Sequence, residues 1–400
     1  MYIRQPSLFS FDELMKFQPQ TRLEKIFSTL DLSVISKHFP SSSRGPKSYD
    51  RESMLRAMIA ALVYGIPTCT KLVERLKTDL RFKYDCGFSV LHDPPSESTF
   101  CRFFSKLSQN ECLQELFNGL VKKAMDIGLV SGKNLAIDSS EIDAYEKTVP
   151  KTKAPNDGKN ANWGAKKDSQ GNQITWFGYK LHACVDADSE LPIAITVTPA
   201  NEHDSIQTVP LLEKSKILIG NPENVIMDSA YDQKYIYEHI FNELNAQAII
   251  PLNKRGEKIP PEGLDENHHP VCSMGFPLIY WGCDKQKGEL KFRCPHVMGK
   301  IDCPMGSCWC STSNYGLVVK KKVKDDPRNF CMPHRGTKNW QKLYNKRTSV
   351  ERFFSRLKDN LNANNLKVRG IKKVTAHLLL CSITLLAGTL AVNLIQEKAA

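Results

Sequence analysis

The sequence predicts a mixed α/β fold in which helices flank a mixed sheet, a helical N-terminal domain comes first, and a cysteine-rich insertion interrupts the core. Three observations lead to this prediction. Helical periodicity dominates up to about residue 128, and after Lys133 short apolar runs alternate with helical stretches. Seven of the thirteen cysteines fall within 253–339. We therefore expect four segments: residues 1–130, 131–252, 253–339 and 340–400.

The composition favours a polyanionic partner. The chain carries 55 Lys and Arg against 43 Asp and Glu, a formal charge of +12. A field of this sign favours nucleic acid, although other basic soluble proteins exist.

The first domain shows helical patterns over residues 51–64, 70–82, 96–107 and 111–128, separated by turn signals such as GIP and CGFSVLHDPP. Short helices, tight turns and many basic residues are compatible with a helix-turn-helix that binds DNA. A small helical bundle that only packs is the alternative. The basic residues are Arg44, Lys47, Arg51, Arg56, Lys71, Arg75, Lys77, Arg81, Arg102 and Lys106.

The core begins with NLAIDSS, and the paired strands ITWFGYKLHACVDADS and LPIAITVTPAN follow after a polar loop at 147–167. A helix at 205–218, with Asp204 placed to cap it, leads to the run NVIMDSAYD. A helix at 235–244 and the strand AQAIIPL complete this part. The Lys-rich loop is either a solvated segment or a contact for phosphates.

Two aspartates end the similar runs LAIDSS and VIMDSA. If these strands are neighbours, Asp138 and Asp228 meet at one edge of the sheet. Two such close carboxylates ionise most readily around a cation. With Glu351 they form three oxygen donors for two divalent ions, of which Mg²⁺ fits best and Mn²⁺ is an alternative. Such a pair of ions cuts or joins phosphodiesters. The structural alternative is that both aspartates cap turns, with Glu141, Asp143 or Asp232 as other ligands.

The stretch YNKRTSVERFFSRLK, residues 344–358, places four polar side chains on one stripe of a helix. These are Tyr344, Arg347, Glu351 and Lys358. The adjoining face is apolar and should be buried; it comprises Val350, Phe353, Phe354 and Leu357. Taken alone, the stretch also fits a surface helix with an ordinary Arg347–Glu351 pair.

These motifs together resemble the bacterial insertion-sequence transposases of the DDE class. The four residues of 344–358 match the Y-x2-R-x3-E-x6-K signature, and AIDSSEIDA and VIMDSAYD are similar to the two aspartate strands. FGYKLHACVDADSELPIAITVTPANEHD resembles the intervening hairpin, and residues 51–88 resemble the N-terminal domain common in these proteins. The resemblance covers residues 45–250 and 340–390.

The resemblance implies an RNase H-like catalytic core. Asp138, Asp228 and Glu351 correspond to the metal-binding triad, and Tyr344, Arg347 and Lys358 to residues near the DNA phosphates. Asp232, His203 and Asp204 also match family positions without a defined role. The resemblance further implies a homodimer on DNA.

The cysteines of the insertion require a separate explanation. The N-terminus shows no secretory signal, so we expect a cytoplasmic, nucleoid-associated bacterial protein with reduced thiols. The spacing in RCPHVMGKIDCPMGSCWC matches no paired C-x2-C zinc module. A structural zinc and unligated buried thiols are the two interpretations. The four best zinc ligands are Cys294, Cys303, Cys308 and Cys310.

The C-terminal stretch 376–395 has no formally charged side chain over a length that could span a bilayer. Its His, Ser, Thr, Gly and Asn residues favour a buried terminal helix, so we expect no membrane partner.

The sequence thus predicts a transposase that binds the terminal inverted repeats of its element, hydrolyses phosphodiesters with two metal ions and transfers the 3′-hydroxyl ends to target DNA. An RNase H-like nuclease or resolvase without strand transfer is one alternative. A catalytically silent DNA-binding protein derived from a transposase is the other.

Overall fold

A computed structural model describes residues 10–40, 48–154, 157–158, 160–167, 170–253, 260–306 and 309–399. The helices are α1 Phe11–Lys16, α2 Arg22–Phe27, α3 Ser33–His38, α4 Arg51–Val63, α5 Cys69–Thr78, α6 Leu80–Asp85, α7 Glu97–Leu107, α8 Cys112–Asp126, α9 Thr208–Ile219, α10 Lys234–Asn242, α11 Lys338–Tyr344, α12 Thr348–Ser355 and α13 Ile371–Ala399. The strands are β1 Asn134–Asp143, β2 Asn162–Lys167, β3 Gln173–Asp186, β4 Leu191–Pro199, β5 Asn224–Ile226, β6 Gln247–Ile249, β7 Ile279–Asp284, β8 Glu289–Arg293 and β9 Val318–Lys322.

The chain divides into two units. Unit 1 comprises Met1–Ala124 and Arg356–Ala400, and unit 2 comprises Met125–Ser355. The division groups the C-terminal segment with the N-terminal helices. The four segments expected from the sequence stay a prediction.

Unit 1 is helical and has α13 at its centre, packed on α2, α4 and α7. Short polar side chains cap the N-termini of α4 and α7. Asp50 accepts a hydrogen bond from the Ser53 N–H, and Ser96 accepts one from the Thr99 N–H. The predicted helix at 70–82 is two helices, because the Asp79 carboxylate caps α6 and its extended backbone ends α5.

Helix α13 is long and apolar enough to cross a membrane by length and composition. Within the described chain, however, 61% of its most apolar window is buried, as in the core helix of a soluble protein. Leu378, Ile383 and Leu386 are fully buried. Burial of each such side chain contributes about 1.5–3 kcal/mol, which accounts for the absence of charge in this segment.

Unit 2 contains a six-stranded mixed sheet, with β4–β3–β1–β5–β6 as neighbours. Strand β3 pairs antiparallel with β1, whereas β5 and β6 run parallel to β1. Because Gly178 pairs with both Asp143 and Asn162, β2 lies on the side of β3 that β4 occupies farther along. Helices α9, α10 and α12 pack on this sheet. The predicted fold class, a mixed sheet flanked by helices behind a helical N-terminal region, is confirmed.

Two local expectations were wrong. The loop expected at 147–167 ends in strand β2, which extends the hairpin and pairs with the first half of β3. The segment 344–358 is not one α-helix: a 3₁₀ turn at Asn345–Arg347 precedes α12, and a π-helical turn at Arg356–Asn360 follows it. The predicted apolar face is nevertheless buried throughout.

The insertion carries its own antiparallel sheet, β7–β8–β9. One face of this sheet covers a small core of Leu278, Leu290, Phe292, Val323 and Phe330. The cysteine-rich stretch forms the connection between β8 and β9.

Candidate active site

Asp138 lies in the middle of β1, at the level where the parallel partner strand stops. The register pairs Ala136 with Ile226, the last residue of β5, so Asp228 follows at the height of Asp138. The sequence predicted that both aspartates end their strands. Only β5 stops there, because β1 continues to Asp143 through its antiparallel pairing with β3.

Backbone hydrogen bonds orient both aspartates. The Ser139 N–H donates to Asp138 Oδ1 over 2.8 Å. The Asp228 carboxylate caps the short 3₁₀ helix Ser229–Tyr231 and accepts from the Ala230 N–H over 2.8 Å. The capping alternative considered from the sequence therefore holds for Asp228, and it is compatible with a second role because a carboxylate accepts several bonds.

Helix α12 brings the third acid to this edge. The helix packs on β1 and β3 and buries Val350 and Phe353. Two ion pairs secure the same region to the β3–β4 turn: Lys346 with Asp188, and Arg352 with Glu190. The packing fixes the helix rotation and leaves the Glu351 side chain 50% exposed.

Arg347 joins the acids of the sheet to the acid of the helix. Its Nη1 lies 2.8 Å from Glu351 Oε1 and 3.6 Å from Asp138 Oδ2. One guanidinium nitrogen thus contacts carboxylates from β1 and α12. The predicted Arg347–Glu351 pair is present and also reaches Asp138.

The site holds more negative charge than Arg347 offsets. Burial, followed by the nearby charges of Asp228 and Asp204, raises the pKa of Asp138 to about 7, although Arg347 and the Ser139 N–H act in the opposite direction. Burial also raises the pKa of Asp228. Protons therefore compete for the Asp138 carboxylate near neutral pH.

The donor set suits a hard divalent cation, because carboxylate oxygens are the ligands that Mg²⁺ takes. A second indication is Tyr231, whose hydroxyl is buried and has no hydrogen-bond partner within the described chain; Ser139 lies beside it without meeting hydrogen-bond geometry. The charges of Asp138, Asp204 and Asp228 all reach this hydroxyl. Among the described residues, no three Asp, Glu, His or Cys side chains stand at metal-ligand spacing. Arg347 lies between Asp138 and Glu351, so metal binding requires it to move.

The alternative ligands considered from the sequence are engaged elsewhere. Glu141 forms a 2.7 Å ion pair with Lys166 of β2. Asp232 is buried and accepts two hydrogen bonds from Arg328, over 3.0 and 2.8 Å. Asp143 is exposed and pairs through its backbone with β3.

Asp204 does not cap the helix as expected. His203 caps the 3₁₀ turn Asp204–Gln207, where its Nδ1 accepts from the Ser205 N–H over 3.4 Å, and α9 begins after Gln207 without a side-chain cap. The Asp204 carboxylate instead lies 2.9 Å from Lys180 Nζ and 3.9 Å from His182 Nδ1. Sequence reasoning missed Lys180, His182 and Tyr231 as neighbours of the acids. The alternation of Lys180 and His182 along one strand was the available signal.

The other signature residues have different surroundings. Tyr344 stacks on Trp340 of the preceding turn, with ring centroids 5.0 Å apart. Lys358 lies in the π-helical turn, which belongs to unit 1, and its part in the site stays a prediction.

Three of the four predicted zinc ligands, Cys294, Cys303 and Cys310, line one cavity in the insertion. The fourth, Cys308, lies outside the described residues. A cysteine that was not selected, Cys272, lines the same cavity.

Two protein-family models match this chain, one over its N-terminal part and one over a later part that ends at residue 387. The family model described as "Transposase DDE domain" matches residues 132–387. This chain belongs to the DDE transposase family. A second model, "Transposase domain (DUF772)", matches residues 12–106. The predicted family membership is confirmed, and the protein is a DNA transposase whose substrate is DNA.

Family membership also defines the general chemistry of this DDE transposase. The family comprises enzymes that process DNA and generally use divalent metal ions. A solved structure with a similar chain is the cryo-EM structure of the piggyBac transposase synaptic complex with hairpin DNA, at 12% identity and a TM-score of 0.40. The match covers 93% of this chain and 75% of that one.

Proposed function

We propose that this transposase binds the terminal inverted repeats of its own mobile element, hydrolyses a phosphodiester at each end and joins the freed 3′-hydroxyl ends to target DNA. The observation that carries the proposal is that Arg347 contacts both Asp138 of β1 and Glu351 of α12, with Asp228 following β5 beside Asp138. Two Mg²⁺ or Mn²⁺ ions would be held by these three carboxylates.

When bound, such ions activate a water or a 3′-hydroxyl and stabilise the leaving oxygen. The chain supplies the positions of the ligands. Asp138 and Asp228 are oriented by backbone N–H groups, so their carboxylates are held in place without a metal. Glu351 is the mobile donor, because half of its side chain is exposed and its ion-pair partner, Arg347, is itself a side chain.

Arg347 has two tasks in this proposal. In the metal-free protein it offsets part of the repulsion between acids, and with DNA bound its planar guanidinium is free to hold a phosphate in a bidentate manner. Tyr344 adds an aromatic face fixed by Trp340. Lys358 offers a point charge to the phosphates of the DNA backbone, as the resemblance implies.

Helix α7 supports DNA binding by the N-terminal helices. Its residues Ser98, Arg102 and Lys106 are exposed and follow one another at four-residue intervals, so they share one face. Arg75 and Arg81, in contrast, serve the fold: Arg75 lies over the rings of Tyr64 and Phe82, and Arg81 pairs with Asp85 and Glu24. We propose α7 as the helix that enters the major groove.

The same proposal includes a homodimer that holds two element ends together and a cytoplasmic, nucleoid-associated location. The net charge of +12 supports retention on DNA.

The proposal is tested with the purified chain and the DNA that flanks its gene. We expect Mg²⁺-dependent cleavage at a terminal inverted repeat, followed by a joined product with target DNA, and no cleavage of the same fragment with a scrambled repeat. Cleavage without a joined product would replace strand transfer with a nuclease or resolvase activity. Tight binding without cleavage would replace catalysis with a DNA-binding role.

A further inference from the structure

Four cysteines from separate parts of the insertion line one small cavity. Cys272 precedes β7, Cys294 follows β8, and Cys303 and Cys310 lie in the long connection to β9. The cavity measures about 10 Å³, which leaves room for a single ion.

Two of the cysteines begin tight turns of the same form. The Gly275 N–H donates to the Cys272 carbonyl oxygen over 2.8 Å, and the Gly306 N–H donates to the Cys303 carbonyl oxygen over 3.0 Å. Both glycines have positive φ, +78° and +64°, which other residues rarely adopt. The sequences CSMG and CPMG therefore form short, stiff loops that hold two thiols beside the cavity.

The other positions are fixed by the insertion sheet and by a histidine. The Cys294 N–H donates to the Leu317 carbonyl oxygen over 2.9 Å, which ties this buried cysteine to the chain before β9. His296 Nδ1 accepts from the Cys303 N–H over 3.2 Å. This bond closes the loop between Cys294 and Cys303 and assigns His296 to ordering the loop.

The four thiols are free, with no disulfide among them, so all four sulfurs are available to a cation.

We propose that Cys272, Cys294, Cys303 and Cys310 bind one Zn²⁺ as a tetrahedral four-thiolate structural site. Four thiolates without histidine or an open position are typical of structural zinc. On binding, the four thiols lose their protons and four Zn–S bonds form. Among the described residues no three ligands already stand at metal-ligand spacing, so binding must draw these loops inward.

This ligand set differs from the sequence-based one, in which Cys308 stood in the place of Cys272. Cys308 lies outside the described residues, whereas the hairpin of residues 271–277 brings Cys272 to the cavity from 22 positions before Cys294. A zinc here would fasten the β8–β9 connection and so fix β9, whose Lys320 and Lys322 are exposed.

The test uses the full-length protein expressed with zinc and purified under reducing conditions. We expect mass spectrometric metal analysis to find about one zinc per chain. Cys272→Ser should lower the zinc content at least about fivefold, because one of four ligands is lost. The control Cys283→Ser, which lies on β7 and is not among the described residues that line the cavity, should keep the full content. Zinc-free wild type overturns the proposal, as does full zinc content in Cys272→Ser.

A second measurement uses the wild-type protein, so it does not depend on whether the cysteine variants fold. Alkylation with iodoacetamide before and after zinc removal by a chelator is read by peptide mass spectrometry. We expect Cys272, Cys294, Cys303 and Cys310 to become reactive only after chelation, with no chelator effect on Cys283. Equal reactivity of the four before and after chelation would contradict the site.

Discussion

Glu351→Gln is expected to abolish cleavage of transposon-end DNA, by at least about 10³-fold or about 4 kcal/mol in the barrier, while DNA binding is unchanged. The amide has the same shape but lacks the charge that a divalent ion needs. Half of the Glu351 side chain is exposed, so the free energy of unfolding should change by only about 0.5 kcal/mol. Single-turnover cleavage and a binding titration on the same DNA measure the two effects.

The matched control is Glu141→Gln. Glu141 is an acid of the same type that lies on β1, and it forms an ion pair with Lys166. We expect this variant to cleave within a few-fold of the wild type. If Glu351→Gln cleaves normally and Glu141→Gln does not, Glu351 is the wrong acid.

Asp232→Asn is expected to lower the free energy of unfolding of unit 2 by about 3–5 kcal/mol. Asp232 is almost fully buried and its four acceptor sites are used: two by Arg328, one by the Tyr237 hydroxyl and one by the Asn253 N–H. Arg335 extends the network by donating to the Tyr237 hydroxyl, over 3.1 Å. Removing the charge leaves a guanidinium that is 80% buried without its carboxylate partner.

Urea unfolding at pH 7 measures this loss. The control Glu238→Gln lies on α10 and removes an exposed pair with Lys234, so it should cost under about 0.5 kcal/mol. An Asp232→Asn variant as stable as this control would show that the network does not hold the insertion to the core.

The pH dependence provides a second check on Asp232. Burial alone would raise its pKa, but the bonds from Arg328 and the Asn253 N–H lower it below the ordinary value. The folded state therefore favours the ionised form. The contribution to stability is complete above the unfolded pKa of about 3.9 and is lost as the pH falls through the folded pKa. The stability difference between wild type and Asp232→Asn should be constant from pH 5 to 8 and narrow in stronger acid.

The three candidate acids could be selected from the sequence because their signals are local. Each aspartate follows an uninterrupted apolar run, and Glu351 sits next to a face whose four apolar residues are all buried. Those patterns lie within short stretches of sequence and do not depend on contacts between distant segments. The confirmed family and fold class rest on the same stretches.

What the sequence did not predict depends on pairing between distant segments. Strand β2 has little apolar content and exists because β3 extends past β1 to receive it. The continuation of β1 past Asp138 depends on the same partner. Cys272 reaches its cavity only through the fold of the insertion. In each case the deciding contact lies outside any local window.

The central claim is that Asp138, Asp228 and Glu351 hold the metal that cuts DNA, and a change of ligand type at Asp228 tests it most directly. A thiolate is a poorer ligand for Mg²⁺ than for the softer Mn²⁺. We predict that Asp228→Cys is inactive in Mg²⁺ and that its cleavage rate in Mn²⁺ is at least about tenfold higher than in Mg²⁺. Asp228→Ala should be inactive in both metals. Cleavage by Asp228→Ala in Mg²⁺, or equal inactivity of the Cys and Ala variants in Mn²⁺, would contradict the assignment.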